Sequence, residues 1–409
     1  MTDLAAAAAA FDVDRFRRET PGCARVLHFD SAGSSLPPQP VVEATIAHLQ
    51  LEAEVGGYEA EARAAPAIER TYRSVARLLN ARPNEIALVE NATRAWDMAF
   101  YAFAQRLEPG DRILTSVSEY ASNCIAYLQV ARRTGARVEA VPNDADGRLS
   151  IPAAEAMIAA GRVRLIAITH VPTNGGLVNP AAELGRLARA ARIPYLLDAC
   201  QSVGQQPIDV EAIGCDFLSA TARKYLRGPR GIGFLYVREP WITELEPPFL
   251  DLHAATWTGP DRFEIRGDAR RFENWESHVA GRVALGVAAD YAMAAGLDAI
   301  AARVQWLAAR LRDRLQRIDG VEVRDLGAPA HRCGIVSFTC AGLEAPKIQA
   351  ALRARDVFVS SSRASSTPLD MTGRGLAHLV RASVHYYNTE DEIERFCAAI
   401  DDLRPGSRP

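Results

Sequence analysis

The stretch Cys215-Asp216-Phe217-Leu218-Ser219-Ala220-Thr221-Ala222-Arg223-Lys224 decides the fold of this 409-residue chain. It runs from an apolar, strand-like segment into a lysine. Tyr225-Leu226-Arg227-Gly228-Pro229-Arg230-Gly231-Ile232-Gly233 then turns the chain into a second apolar segment at 234–237. Lys224 has two readings. It can belong to a basic surface hairpin with Arg223, Arg227 and Arg230 beside it. It can also be a Schiff-base lysine held over a cofactor, which requires that it lose its proton. Spacing alone leaves both readings open.

Upstream, short apolar runs at 86–89, 112–115, 165–169 and 195–197 alternate with helical patterns. Ile68, Tyr72, Val75 and Leu79 share one helical face. So do Leu184, Leu187 and Ala191, in a helix opened by Asn179-Pro180. This alternation predicts an α/β unit, a largely parallel sheet covered on both faces. In such sheets ligands sit at the carboxyl ends of the strands. After 86–89 comes Glu90-Asn91-Ala92-Thr93-Arg94, a turn into a helix whose start suits a phosphate or serves as a plain N-cap. After 195–197 comes Asp198-Ala199-Cys200-Gln201. A carboxylate there either caps the next turn or keeps a proton on a pyridinium ring, making that ring an electron sink. Gln201 could then reach the ring's phenolic oxygen.

From about residue 285 the pattern changes to long Ala/Leu/Arg helices at 287–295 and 297–318, then strands at 321–324 and 334–339. Thr389-Glu390-Asp391-Glu392 forms a capping box before Ile393, Phe396 and Ile400. The expected organisation is an N-terminal arm at 1–25 that joins the small domain, a large domain at 26–285 and a small α+β domain at 286–409. A formal charge of −3 lacks the basic footprint of a nucleic-acid binder. Seven scattered cysteines without C-x-x-C spacing read as free thiols, with neither a disulfide framework nor a metal site. The alanine run at 5–10 has no basic leader, and no apolar run reaches the ~20 residues of a membrane span. A cytoplasmic protein is expected.

Asp198-x-x-Gln201, Thr221-Ala222-Arg223-Lys224 and Gly228-Pro229-Arg230-Gly231-Ile232-Gly233 together resemble the class V aminotransferase superfamily, which includes cysteine desulfurases. The likeness runs from His28-Phe29-Asp30-Ser31-Ala32-Gly33 to Val380-Arg381-Ala382-Ser383. It implies pyridoxal 5'-phosphate (PLP), the fold type I architecture with a mostly parallel seven-stranded sheet, and a homodimer with shared active sites. It implies that Lys224 carries PLP, that Asp198 pairs with the pyridine nitrogen and that Gln201 meets O3′. Thr93, the backbone of Arg94 and Thr221 match the phosphate site. Tyr120 stands where desulfurases stack a histidine on the ring. Thr173 or Asn174 falls near O3′, and Arg223 replaces a common histidine and is placed to salt-bridge the phosphate. Arg381 is the implied clamp for the substrate α-carboxylate, whose two oxygens suit an arginine fork, with the backbone of Ala32 and Gly33 assisting.

The departures are informative. Ser365, in Val359-Ser360-Ser361-Ser362-Arg363-Ala364-Ser365-Ser366-Thr367-Pro368-Leu369, stands where desulfurases carry the loop cysteine that accepts sulfur. A serine cannot form a persulfide, and Cys397 reads as core. Arg270-Arg271-Phe272-Glu273-Asn274-Trp275-Glu276 replaces a Gly-Thr pair that reaches the other subunit's phosphate. With His385-Tyr386-Tyr387-Asn388-Thr389, these features resemble a branch holding ergothioneine-type C–S lyases and isopenicillin-N-epimerase-like proteins. The implied reaction is β-elimination on a cysteine conjugate or its sulfoxide, giving pyruvate and ammonia. The same residues would serve transamination, epimerisation or desulfurase-like chemistry, and a PLP-binding scaffold without catalysis is the non-enzyme alternative.

Overall fold

The computed structural model describes residues 11–404, so the alanine run at 5–10 lies outside it. Seven strands form the central sheet: β1 (Ile86–Val89), β2 (Arg112–Ser116), β3 (Arg137–Val141), β4 (Val163–Thr169), β5 (Tyr195–Asp198), β6 (Phe217–Thr221) and β7 (Gly233–Val237). Their order is β1-β7-β6-β5-β4-β2-β3. Only β7 runs against its neighbours, pairing antiparallel with both β6 and β1. The remaining pairs are parallel. This is the fold type I sheet.

Side-chain alternation explains why both faces are covered. Leu197, Leu218, Phe234 and Leu88 enter one apolar cluster. Their neighbours Leu196, Phe217, Leu235 and Ala87 enter the cluster on the opposite face. Successive residues of a strand point to opposite faces, so near-continuous apolar runs give a sheet buried on both sides. Strand β3 was absent from the sequence reading. It lies at the sheet edge and carries Arg137 and Glu139, which mask the apolar pattern. The short hairpin Ala255–Gly259 with Arg262–Ile265 was also unforeseen.

The small domain is an antiparallel sheet of β8 (Val321–Val323), β9 (Ile335–Cys340), β10 (Ser360–Arg363) and β11 (His378–Ser383), in the order β8-β9-β11-β10. Helices α4 (Leu297–Gln316) and α5 (Glu390–Asp401) cover it. The capping box at Thr389 is present. Phe11, Phe16, Leu27 and Phe29 of the N-terminal segment pack into this second core. Helix α3 (Val279–Ala295) instead sends Ala284, Leu285 and Ala288 into the large core. The two cores meet around Gly296: Tyr291 and Ala295 of this helix pack against the small core, and Leu297 touches both. The arm reaches Phe29, beyond residue 25.

Candidate active site

The sheet's carboxyl edge opens into a cavity of about 440 Å³, a volume suited to a small cofactor with its substrate. Each wall comes from a strand end. Helix α1 (Ala92–Ala104) begins where β1 stops, capped by Asn91, whose Oδ1 accepts the Arg94 amide at 2.9 Å. Ala92 and Thr93 line the cavity at this helix start, where the backbone dipole favours an anion. Gly233, the first residue of β7, lets the turn sit this close. A Cβ there would lie 2.6 Å from the Ala220 carbonyl oxygen and 2.9 Å from the Asn91 carbonyl carbon. Thr221 at the end of β6, then Arg223 and Lys224, complete this side.

Lys224 is half-buried at the cavity wall. Burial pushes its pKa down; Cys200 and Asp198 oppose this, while Arg223 adds to it. The loop that carries it is not a surface hairpin. Arg227 is buried in a left-handed conformation (φ 62°). Its guanidinium reaches the Leu36 carbonyl (2.9 Å), the Tyr386 hydroxyl (2.6 Å) and Thr20 Oγ1 (2.5 Å), against the faces of Tyr386 and Tyr387. Only Arg230 of that quartet is exposed.

Asp198 ends β5 and is buried. Burial raises its pKa, against the Cys200 amide on Oδ1 (2.9 Å), the charge of Lys224 and Asn123 Nδ2 on Oδ2 (3.1 Å). Gln201 donates to the Ala32 carbonyl at 3.0 Å, and its buried Oε1 has no partner. Tyr120 and Thr173 line the cavity as well.

Several anticipated residues lie elsewhere. Asn174 points away from the cavity, its Nδ2 on Thr367 Oγ1 at 2.7 Å; Thr173 is the member of the pair that faces inward. The Arg94 amide is taken by its cap, and the Arg94 side chain lies over the Phe249 ring. The Ala32 amide is held by Ser383 Oγ at 2.8 Å, and the Gly33 carbonyl accepts from Arg223. Arg381 is buried beneath Thr173, donating to its hydroxyl (2.8 Å) and to Ser360 Oγ (3.1 Å), with Asp30 at 3.4 Å. Its Nε has no partner. Ser365 is exposed, and Cys397 is buried in the small-domain core. Glu273 is a buried hub that accepts from Tyr72, the Leu88 amide and Arg282. Glu119, Asn123, Thr169 and Cys200 were not singled out from the sequence. The rule that finds Asp198, polar groups following a strand, would have found Glu119 and Thr169 too.

The pattern that defines aminotransferase class V matches residues 27–396. The chain belongs to the class V aminotransferase family. A probable cysteine desulfurase of Xylella fastidiosa (strain 9a5c) is 33% identical to this class V protein over 411 residues, covering 96% of each chain. The apo structure of a cysteine desulfurase from Thermococcus onnurineus NA1 superposes with a TM-score of 0.88 at 27% identity, covering 95% of this chain and 97% of that one. A cystine C–S lyase in complex with cysteine persulfide, 24% identical, shares the fold with a TM-score of 0.82, covering 94% of this chain and 100% of that one. This class V protein is thus a PLP enzyme related to the cysteine desulfurases. The cavity fits that cofactor. It joins a helix N-terminus and threonine hydroxyls for a phosphate, a buried carboxylate for a ring N–H, an unpartnered Gln201 Oε1, and a lysine whose proton is loosened by burial. Among the described residues all seven cysteines are free, no three metal-ligating side chains converge, and no single helix is long and apolar enough to cross a membrane.

Proposed function

We propose that this enzyme removes the β-sulfur substituent of a cysteine conjugate or its sulfoxide, with water completing the conversion to pyruvate and ammonia. The observation that carries the reading is the pairing of Lys224 and Asp198 at one cavity with an exposed serine, Ser365, at the loop position where sulfur would be accepted. PLP, when bound, supplies a protonated ring that takes up the electron pair left as the Cα–H bond breaks.

Lys224 would hold the cofactor and, once free of it, would take the α-proton of the substrate on Nζ. Burial lowers its pKa, which favours the neutral amine that a base requires. Asp198 would keep the proton on the ring nitrogen, and Gln201 would offer the second hydrogen of Nε2 to the neighbouring ring oxygen. Thr93, Thr221 and Arg223 would hold the phosphate, and Tyr120 would stack on the ring. Arg381 takes the α-carboxylate once Asp30 and Ser360 release its second nitrogen. A homodimer and a cytoplasmic location complete this reading.

A second reading, transfer of sulfur to an enzyme thiol, has one observation in its favour: Cys200 lines the cavity beside Lys224. Burial raises the Cys200 pKa, which keeps the thiol protonated and a poor nucleophile. Products separate the two. Elimination from S-substituted cysteines yields pyruvate, whereas desulfuration of cysteine yields alanine and a protein persulfide. Pyruvate from a panel of conjugates, abolished together with the visible absorption in Lys224→Ala, is the expected result. Alanine with a persulfide on Cys200 would reverse the assignment.

A further inference from the structure

At the cavity wall two carboxylates are joined by one amide nitrogen. Asn123 Nδ2 donates to Glu119 Oε1 at 2.9 Å and to Asp198 Oδ2 at 3.1 Å. An amide nitrogen carries two hydrogens, so both are committed. Asn123 and Glu119 stand at i and i−4 around the start of helix α2 (Ala121–Thr134), a spacing that faces them toward one another.

Glu119 is itself immobilised. It is buried and accepts from Thr115 Oγ1 (3.0 Å), from the amides of Tyr120 and Thr169 (2.9 Å each) and from Thr169 Oγ1. These donors come from β2, β4 and the turn into α2, so three parts of the fold fix one carboxylate. A role confined to bracing that turn would need Glu119 alone. The second hydrogen of Asn123, aimed at Asp198, has no part in such bracing. Asp198 is held on both oxygens, Oδ1 by the Cys200 amide and Oδ2 by Asn123, and each oxygen keeps a further lone pair.

We propose that Glu119 and Asn123 are positioning residues for the cofactor, with Glu119 fixing Asn123 and Asn123 fixing the Asp198 carboxylate in the orientation that receives the ring N–H of PLP. This rests on the cofactor and not on which reaction follows. The other titratable groups around Glu119 are Cys124 and Tyr127 on α2 and Tyr195 on β5.

The test is the pH titration of the visible absorption band of the holoenzyme, a readout independent of turnover. In Asn123→Ala the midpoint should move by roughly one pH unit, because a reoriented Asp198 changes the charge on the ring. Catalytic turnover should fall about tenfold or more with KM changed far less. Tyr127→Phe is the control for lost packing. It removes a buried hydrogen bond from α2 to the Ala167 carbonyl of β4 (3.1 Å) and leaves both hydrogen bonds of the Asn123 amide in place, so its midpoint should not move. Glu119→Gln keeps an oxygen that can accept from Asn123 and should shift the midpoint less than Asn123→Ala. It also serves if Asn123→Ala does not fold. An unmoved midpoint in both bridge variants, or an equal shift in Tyr127→Phe, overturns the proposal. Failure of the elimination reading would leave these spectra unaffected.

Discussion

Glu119 is a single buried side chain that is easily passed over in the sequence although it follows a strand. Burial pushes its carboxyl up to about 7, against the Thr169 hydrogen bond and with the charge of Asp198 adding to the rise. In the unfolded chain a glutamate titrates near ~4.3. Between these values the folded apoprotein binds the extra proton, so this contribution to stability is full below ~4.3 and is lost as pH rises through about 7. Chemical denaturation of the apoprotein across that window should show wild type losing stability relative to Glu119→Gln. A constant difference between the two would place the titration elsewhere. At this scale Lys224, Asp198 and Gln201 were legible because each follows an apolar run in a recognisable order. Asn174, Ala32 and the Arg94 amide were not, because whether a polar group faces a cavity or a neighbour depends on rotamers and caps that no spacing encodes. Arg227 is the sharpest case: a basic residue in a Gly/Pro turn reads as exposed, yet aromatic faces and neutral oxygens bury it.

Secondary-structure elements were better encoded than residues. Strands β1, β5, β6 and β7 are nearly uninterrupted apolar runs between turn signals, and the Thr389 capping box marked the start of α5 directly. Strand β3 escaped because an edge strand keeps charged residues. Helix α3 is hard to place from sequence because an alanine-rich helix looks alike whichever layer it joins, and this one touches both cores. The packing of β7 against the β1–α1 turn gives an element-scale prediction. Gly233→Ala would press a methyl group against the Ala220 carbonyl and the Asn91 backbone. Overpacking of this kind costs about 1–3 kcal/mol. Because the displaced turn is the helix start proposed to hold the phosphate, PLP affinity should fall about tenfold, corresponding to about 1.4 kcal/mol. Titration of the variant with PLP, followed by absorbance, checks this; unchanged affinity would mean that the turn does not hold the phosphate.

At the scale of the whole molecule, two cores meet at Gly296, and the cavity lies at the carboxyl edge of the large sheet with Arg381 reaching toward it from the small one. The mostly parallel seven-stranded sheet follows from the family resemblance. The hairpin Ala255–Gly259 with Arg262–Ile265 does not, since short strands with exposed aromatics have no core-facing pattern to read. Trp257 (72% exposed) and Phe263 (54%) stand opposite one another across that hairpin. Large exposed aromatics paired in this way suit a protein interface, consistent with the proposed homodimer. Sedimentation should show a dimer for wild type and a shift toward monomer for Trp257→Asp combined with Phe263→Asp. A monomeric wild type would remove the shared-site expectation.

The grip of Arg227 has a further meaning when the protein is warmed. The arm, through Thr20, and the small domain, through Tyr386, are fastened three residues from Lys224. Peripheral segments open at lower free energy than central sheets. Once the arm lifts, the loop bearing Lys224 loses an anchor while both sheets remain intact. Thermal inactivation should therefore run ahead of global melting, with the fastening of a remote terminus setting the temperature at which the catalytic lysine is lost.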